Sequence, residues 1–104
     1  MSESGVRLGA AGELYLSGVL DFRTGPALRK QGQALIKACT ASALILDCSA
    51  VEKSSSVGLA LLLAFMRDAD AAGKSVSVQS LPDDMRQIAQ VSGLIELLEP
   101  NQPS

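Results

Sequence analysis

Between Val57 and Met66 the chain reads VGLALLLAFM, a run with no charge and no hydrogen-bonding side chain. A helix needs about 18 or more such residues to cross a bilayer, so this run has to be covered by protein. Wound as a helix over about residues 56–72, it is apolar on two sides. Leu59, Leu62, Leu63 and Met66 share one broad face, and Val57, Leu61, Ala64 and Phe65 fall on roughly the opposite one. Charge returns only at Arg67, Asp68 and Asp70. An ordinary surface helix has one apolar stripe. Either flanking helices cover both faces here, or the second stripe docks another protein. On the docking reading Leu61 and Phe65 are exposed, and burying each contributes roughly 1.5–3 kcal/mol.

The segments around this helix predict an α/β fold. Val6–Leu8 and Glu13–Leu20, separated by the turn residues Gly9-Ala10-Ala11-Gly12, read as a hairpin. Thr24 is a candidate cap and Pro26 suits a first turn, so a helix is predicted over about residues 24–39. Its buried face runs through Leu28, Gly32, Leu35 and Cys39. Gly32 costs that helix roughly 1 kcal/mol relative to Ala, which implies close approach to whatever lies beneath it. Ala43–Cys48 is a continuous apolar run up to Asp47, the pattern of a central strand buried on both faces. Gly73 suits the end of the apolar helix, and Lys74–Gln79 alternates as a strand. Asp83 and Asp84 favour the start of a third helix, whose buried face is Met85, Ile88, Ala89 and Ser92 and which Gly93 stops. Leu94–Leu98 fits a short strand or a short helix equally well, and Asn101–Ser104 is expected to fray. The order is β-β-α-β-α-β-α within one domain of 104 residues. Helical crossovers between the later strands imply a partly parallel sheet with helices on at least one face.

Several function classes drop out. A net charge of −2 argues against binding nucleic acid through phosphates, and three aromatic residues make no stacking platform. No histidine is present, which removes a Ser-His-Asp triad, a Cys-His pair and a Cys/His zinc site within the chain. Cys39 and Cys48 read as two buried thiols in a reducing compartment. Met1–Ala10 lacks the basic start and apolar run of a secretory signal, so a soluble cytosolic protein is expected. Docking on a membrane-bound partner is compatible with that.

Three serines, Ser54, Ser55 and Ser56, precede the apolar run. Ser56 is the favoured N-cap because the apolar pattern begins at Val57. Lys53 is the only base near in sequence, and neither a glycine-rich oxyanion motif nor a nucleotide-binding motif accompanies it. A phosphate on Ser56 would sit at the positive end of the helix with about −1.5 to −2 charges. Asp21 and Asp47, both expected at the ends of strands, would lie near it and oppose it, making phosphorylation a repulsive switch. Each Asp alone reads as a turn or cap residue.

Three blocks, Leu16-Ser17-Gly18-Val19-Leu20-Asp21, Leu44–Val51 and Ser55–Leu59, resemble the STAS domain family in order and spacing. The family includes bacterial anti-sigma factor antagonists and the STAS subunits of Mla-type phospholipid transporters. The resemblance implies a mixed sheet flanked by helices in the order read above, and it implies neither enzyme activity nor a cofactor. In the antagonists the third block reads Asp-Ser-Ser-Gly-Leu, and its first serine is phosphorylated by an anti-sigma factor kinase. Gly58-Leu59 sets the register, so Ser56 matches the phosphoacceptor, Ser55 stands in place of the Asp and Val57 in place of the second Ser. The transporter subunits are the closer match. They carry Thr at the Ser56 position and run on as Gly58–Leu63 does here. That resemblance implies a cytoplasmic regulatory subunit, held at the inner membrane through an ABC transporter ATPase and its permease, that serves outer-membrane lipid asymmetry. Ser54, Ser55, Ser56, Val57, Leu61 and Phe65 would make the contact, with Asp21 and Asp47 as supporting acids. An anti-sigma factor antagonist switched at Ser56 is the alternative.

Overall fold

The computed structural model describes residues 5–98. The expected tail, Asn101–Ser104, lies outside them. The order is β1 (Gly5–Leu8), β2 (Glu13–Leu20), α1 (Gly25–Ala38), β3 (Ala43–Ser54), α2 (Ser56–Ala71), β4 (Ser75–Gln79), α3 (Asp83–Val91) and α4 (Ile95–Leu98). The last segment, open between strand and helix in the sequence, is a short helix.

One four-stranded mixed sheet has the order β1-β2-β3-β4. β1 pairs antiparallel with β2, as the hairpin pattern predicts, while β2–β3 and β3–β4 are parallel. Sequential parallel strands need crossovers, and α1 and α2 provide them on the face they cover.

Strict alternation decides which face that is. Leu14, Leu16 and Leu20 of β2 and Leu44, Leu46 and Cys48 of β3 are buried under the helices. Tyr15, Ser17 and Val19, and Ile45 and Asp47, point the other way and are half-buried. β3 is therefore central within the sheet but covered on one face, not on both. Its unbroken apolar run arises because Ile45, on the open side, is partly shielded by its neighbours. On that side Arg7 stacks over the Tyr15 ring at 4.4 Å. The molecule is accordingly two layers thick, with a least extent of 19 Å.

Strand β3 outruns its expected end at Asp47 and continues to Ser54. It does so through two irregularities, each adding one residue to β3. Tyr15 pairs with Asp47 but Ser17 with Ala50, and Gly18 with Val51 but Val19 with Lys53.

The core joins α1, α2 and α3 to the sheet through Leu28, Ile36, Leu59, Leu62, Phe65, Met85 and Ala89. A Cβ on Gly32 would lie 2.3 Å from Phe65 Cε1 and Cζ, so the glycine lets α1 and α2 meet at the ring, as its place on the helix face implies. Arg29 pairs with Asp68 across the same two helices. Helix α2 ends at Gly73, whose φ of +74° is in the left-handed region that glycine favours. Lys74 then donates from Nζ to the carbonyls of Cys39 at 2.7 Å and Ala41 at 2.6 Å, closing the connection that leaves α1. Gly93, with φ +73°, ends α3 in the same manner. On α3 Met85 and Ala89 are buried and Ile88 half-buried, as expected, whereas Ser92 is exposed.

Candidate partner-binding site

The parallel strands β2 and β3 end side by side at Leu20 and Ser54, where α1 and α2 follow, and the first turn of α3 reaches the same end through Asp84. This end gathers the chain's serine cluster, Asp21 and Asp84.

Ser55, not Ser56, is the N-cap of α2. Its backbone is extended, with φ −92° and ψ −174°, and its Oγ accepts from the Val57 N–H at 3.1 Å. Apolar periodicity starts at Val57, but Ser56 already has helical geometry, which moves the cap back by one position. The Ser55 N–H donates to the Leu20 carbonyl at 3.0 Å and its hydroxyl reaches the same oxygen at 3.4 Å, so the cap is also tied to the end of β2. Ser54 is half-buried; its Oγ donates to the Ser55 carbonyl at 2.9 Å. Ser56 is exposed in the first turn, and no hydrogen bond among the described residues holds its hydroxyl.

Gly58 explains how α2 starts so close to the sheet. A Cβ there would lie 2.0 Å from Ser54 Oγ, 3.1 Å from Leu20 Cβ and 3.2 Å from Met85 Cε. Val57 is half-buried against the start of α1, where a Cβ on Gly25 would lie 2.9 Å from Val57 Cγ1.

The expected docking stripe is not where Leu61 and Phe65 are. Leu61 is 4% exposed and Phe65 is fully buried. Flanking elements cover both faces: α1 meets α2 at Gly32–Phe65, and α3 meets it at Gly58–Met85. What stays outside is the side that continues from Ser56 at helical spacing, through Ala60 and Leu63 to Arg67. Ala60 and Arg67 are exposed, and Leu63, Ala64 and Met66 are half-buried. Leu63, Met66, Arg67 and Asp70 line a shallow depression on it.

The two supporting acids part company. Asp21 directly follows β2 and opens α1 as a turn residue. Its Oδ1 accepts from the N–H groups of Arg23 at 2.9 Å and Thr24 at 3.2 Å. Thr24 makes no capping bond; its hydroxyl donates instead to the Val19 carbonyl at 2.8 Å. Between them Phe22 is 75% exposed. Asp47, by contrast, sits inside β3 on the open side of the sheet, where Oδ1 accepts from the Ser49 N–H at 2.9 Å. It lies seven positions before Ser54 along the strand, roughly 20 Å, so it does not join the serines. Asp84 takes that place. Its Oδ2 accepts from the Ser54 N–H at 3.2 Å and its Oδ1 from the Met85 N–H at 2.9 Å. In the sequence Asp84 reads as a helix-dipole residue, and nothing local marks its reach across to β3.

Of the two free thiols, only Cys48 is buried; Cys39 is half-buried. Burial, and then the neighbouring Asp47, push the Cys48 thiol up to about 12. No cluster of metal-ligating residues and no helix long and apolar enough to cross a membrane occurs among the described residues.

The fold is shared with solved proteins. One chain of the Acinetobacter MlaFEDB complex, in its ATP-bound Vtrans2 conformation, is 29% identical, with a TM-score of 0.76 over 89% of this chain and 95% of that one. An anti-sigma factor antagonist from Mycobacterium paratuberculosis is 27% identical, with a TM-score of 0.73 over 94% of this chain and 83% of that one. The anti-sigma factor antagonist SpoIIAA in its unphosphorylated form, at 18% identity and a TM-score of 0.71 over 92% and 85%, shares the fold. A search of curated proteins found no match. The family model described as "Mlab, STAS domain" matches residues 6–99, nearly the whole chain, and the chain belongs to that family of STAS domains.

Proposed function

We propose that this chain is a non-enzymatic regulatory subunit of an Mla-type phospholipid ABC transporter. It binds the cytoplasmic ATPase subunit, supports its assembly and activity, and reaches the inner membrane through that partner, in the service of outer-membrane lipid asymmetry. The observation that carries the reading is the exposed Ser56 at the head of the uncovered side of α2. Ser54, Ser55 and Val57 fix that head in place, and Ala60, Leu63 and Met66 extend it as a mildly apolar strip. The likeness to a chain of the MlaFEDB complex supports the same class. A surface of this kind regulates by contacting one ATPase conformation better than another.

The test is co-purification with the transporter ATPase and permease from native membranes, followed by ATPase assays with Ser56→Glu. A charged, bulkier side chain at an uncovered first-turn position leaves the fold intact and blocks close contact. Loss of the complex and of the ATPase stimulation is the expected result. An unchanged complex and rate in the folded variant overturns the reading.

One observation favours a second reading. SpoIIAA has been solved in both phosphorylated and unphosphorylated forms, and the Ser56 hydroxyl here is open to a kinase. An anti-sigma factor antagonist switched at Ser56 would take phosphate from an anti-sigma factor kinase and release its partner. Incubation with such a kinase, read by mass spectrometry, separates the two.

A further inference from the structure

We infer that Asp84 is a positioning residue for the Ser56 contact, acting through the backbone of Ser54. The inference rests on the reading of Ser56 as the contact point.

Ser54 is the last residue of β3, and α2 begins two residues later. The direction in which Ser56 leaves the sheet is therefore set by how residues 54 and 55 are held. Their two backbone N–H groups are held from opposite sides. The Ser55 N–H is fixed by the Leu20 carbonyl at the end of β2. The Ser54 N–H is fixed by Asp84 Oδ2, which comes from α3. β3 has run past β4 by this point: its pairing with β4 ends at Asp47–Gln79. The Asp84 carboxylate thus supplies an acceptor beyond the last β3–β4 pair, where β4 supplies none. Its other oxygen takes the Met85 N–H, so one carboxylate spans α3 and the head of α2. Met85 backs this up sterically, with Cε directly over Gly58. The carboxylate also puts negative charge close to the first turn of α2, where it favours the helix. An acceptor, rather than a charge, is what the backbone geometry requires, and that makes the inference separable from simple electrostatics.

The experiment compares Asp84→Ala and Asp84→Asn, each checked for native circular dichroism. Amide hydrogen exchange at Ser54 is measured on the isolated chain, and affinity is measured for the purified transporter ATPase. Asp84→Ala is expected to speed Ser54 exchange and to weaken ATPase binding, each by about tenfold. Asp84→Asn keeps one carbonyl acceptor where the carboxylate offers two, to Ser54 and to Met85, so it is expected to recover each effect in part, to an intermediate value of about threefold. Combining Asp84→Ala with Ser56→Ala distinguishes positioning from a general loss of stability, because a residue acting through Ser56 gives a non-additive pair. Unchanged Ser54 exchange in Asp84→Ala overturns the inference, as does an additive pair. If the wild-type chain fails to bind the ATPase, the functional reading falls, and Ser54 exchange alone still decides whether Asp84 holds the junction.

Discussion

Gly32 and Phe65 are packed ring to backbone: a Cβ on the glycine would stand 2.3 Å from two ring carbons. This contact sets the spacing of α1 and α2. It also explains why Phe65, on the side of α2 that looks free in the sequence, is unavailable to a partner.

Gly32→Ala is therefore expected to destabilise the fold. Alanine in a helix interior gains roughly 1 kcal/mol over glycine. The overlap with a fully buried ring costs more, about 1–3 kcal/mol. The net loss, up to about 2 kcal/mol, is read from the urea midpoint at unchanged slope. Pairing the change with Phe65→Leu should recover part of it, since the smaller side chain removes the overlapping atoms. Stabilisation by Gly32→Ala alone would contradict the packing.

The two central serines have different duties, and stability measurements separate them. Ser55 Oγ accepts the Val57 N–H, so Ser55→Ala should cost about 1 kcal/mol as a lost cap. Ser56 holds no such bond, so Ser56→Ala should change stability by less than about 0.5 kcal/mol. Partner binding should respond in the reverse order of importance, with Ser56 the more sensitive to bulk. Equal unfolding midpoints for the two alanine variants would remove Ser55 as the cap.

Much of this was legible in the sequence, and the exceptions share a physical origin. Local rules found what is locally decided. The hairpin, the ends of α2 and α3 at Gly73 and Gly93, and the close approach at Gly32 follow from turn chemistry and side-chain period. What local rules missed depends on partners distant in the chain. Leu61 and Phe65 look free until α1 and α3 are placed on either side of α2. Asp47 looks like the end of a strand because a carboxylate interrupts an apolar run, but it points to the open side of the sheet, where a charge is tolerated. Asp84 lies thirty residues from Ser54, and its bond to that N–H exists only once α3 has packed beside α2.

Reassigning the uncovered side of α2 gives a paired test. Leu61→Asp puts a charge into the core and should unfold the domain or destabilise it by more than about 4 kcal/mol. Leu63→Asp, on the half-buried outer side, should leave a folded chain and still abolish ATPase binding. Circular dichroism with pull-down reads both. A folded Leu61→Asp protein would place the core wrongly, and a folded Leu63→Asp protein with full binding would move the contact off α2.

Cys48 makes the alkaline limb of the stability curve a test of burial. Its pKa rises from an ordinary value of 9.0 to about 12 in the folded protein. Between those values the folded state keeps a proton that the unfolded state has released, so stability falls as pH rises. Below about pH 9 both states are protonated and the group adds no slope. Urea unfolding of the wild-type chain at pH 8 and pH 10, set beside Cys48→Ala at the same two pH values, isolates this contribution. The wild-type chain should lose more stability over the interval than the variant, by up to about 1.4 kcal/mol for each pH unit above 9. In the native protein at pH 8, iodoacetamide should modify the half-buried Cys39 well before Cys48, because the thiolate is the reactive form. Equal labelling rates at the two positions, or parallel pH profiles in the two proteins, would mean that Cys48 is not sealed beneath the helices.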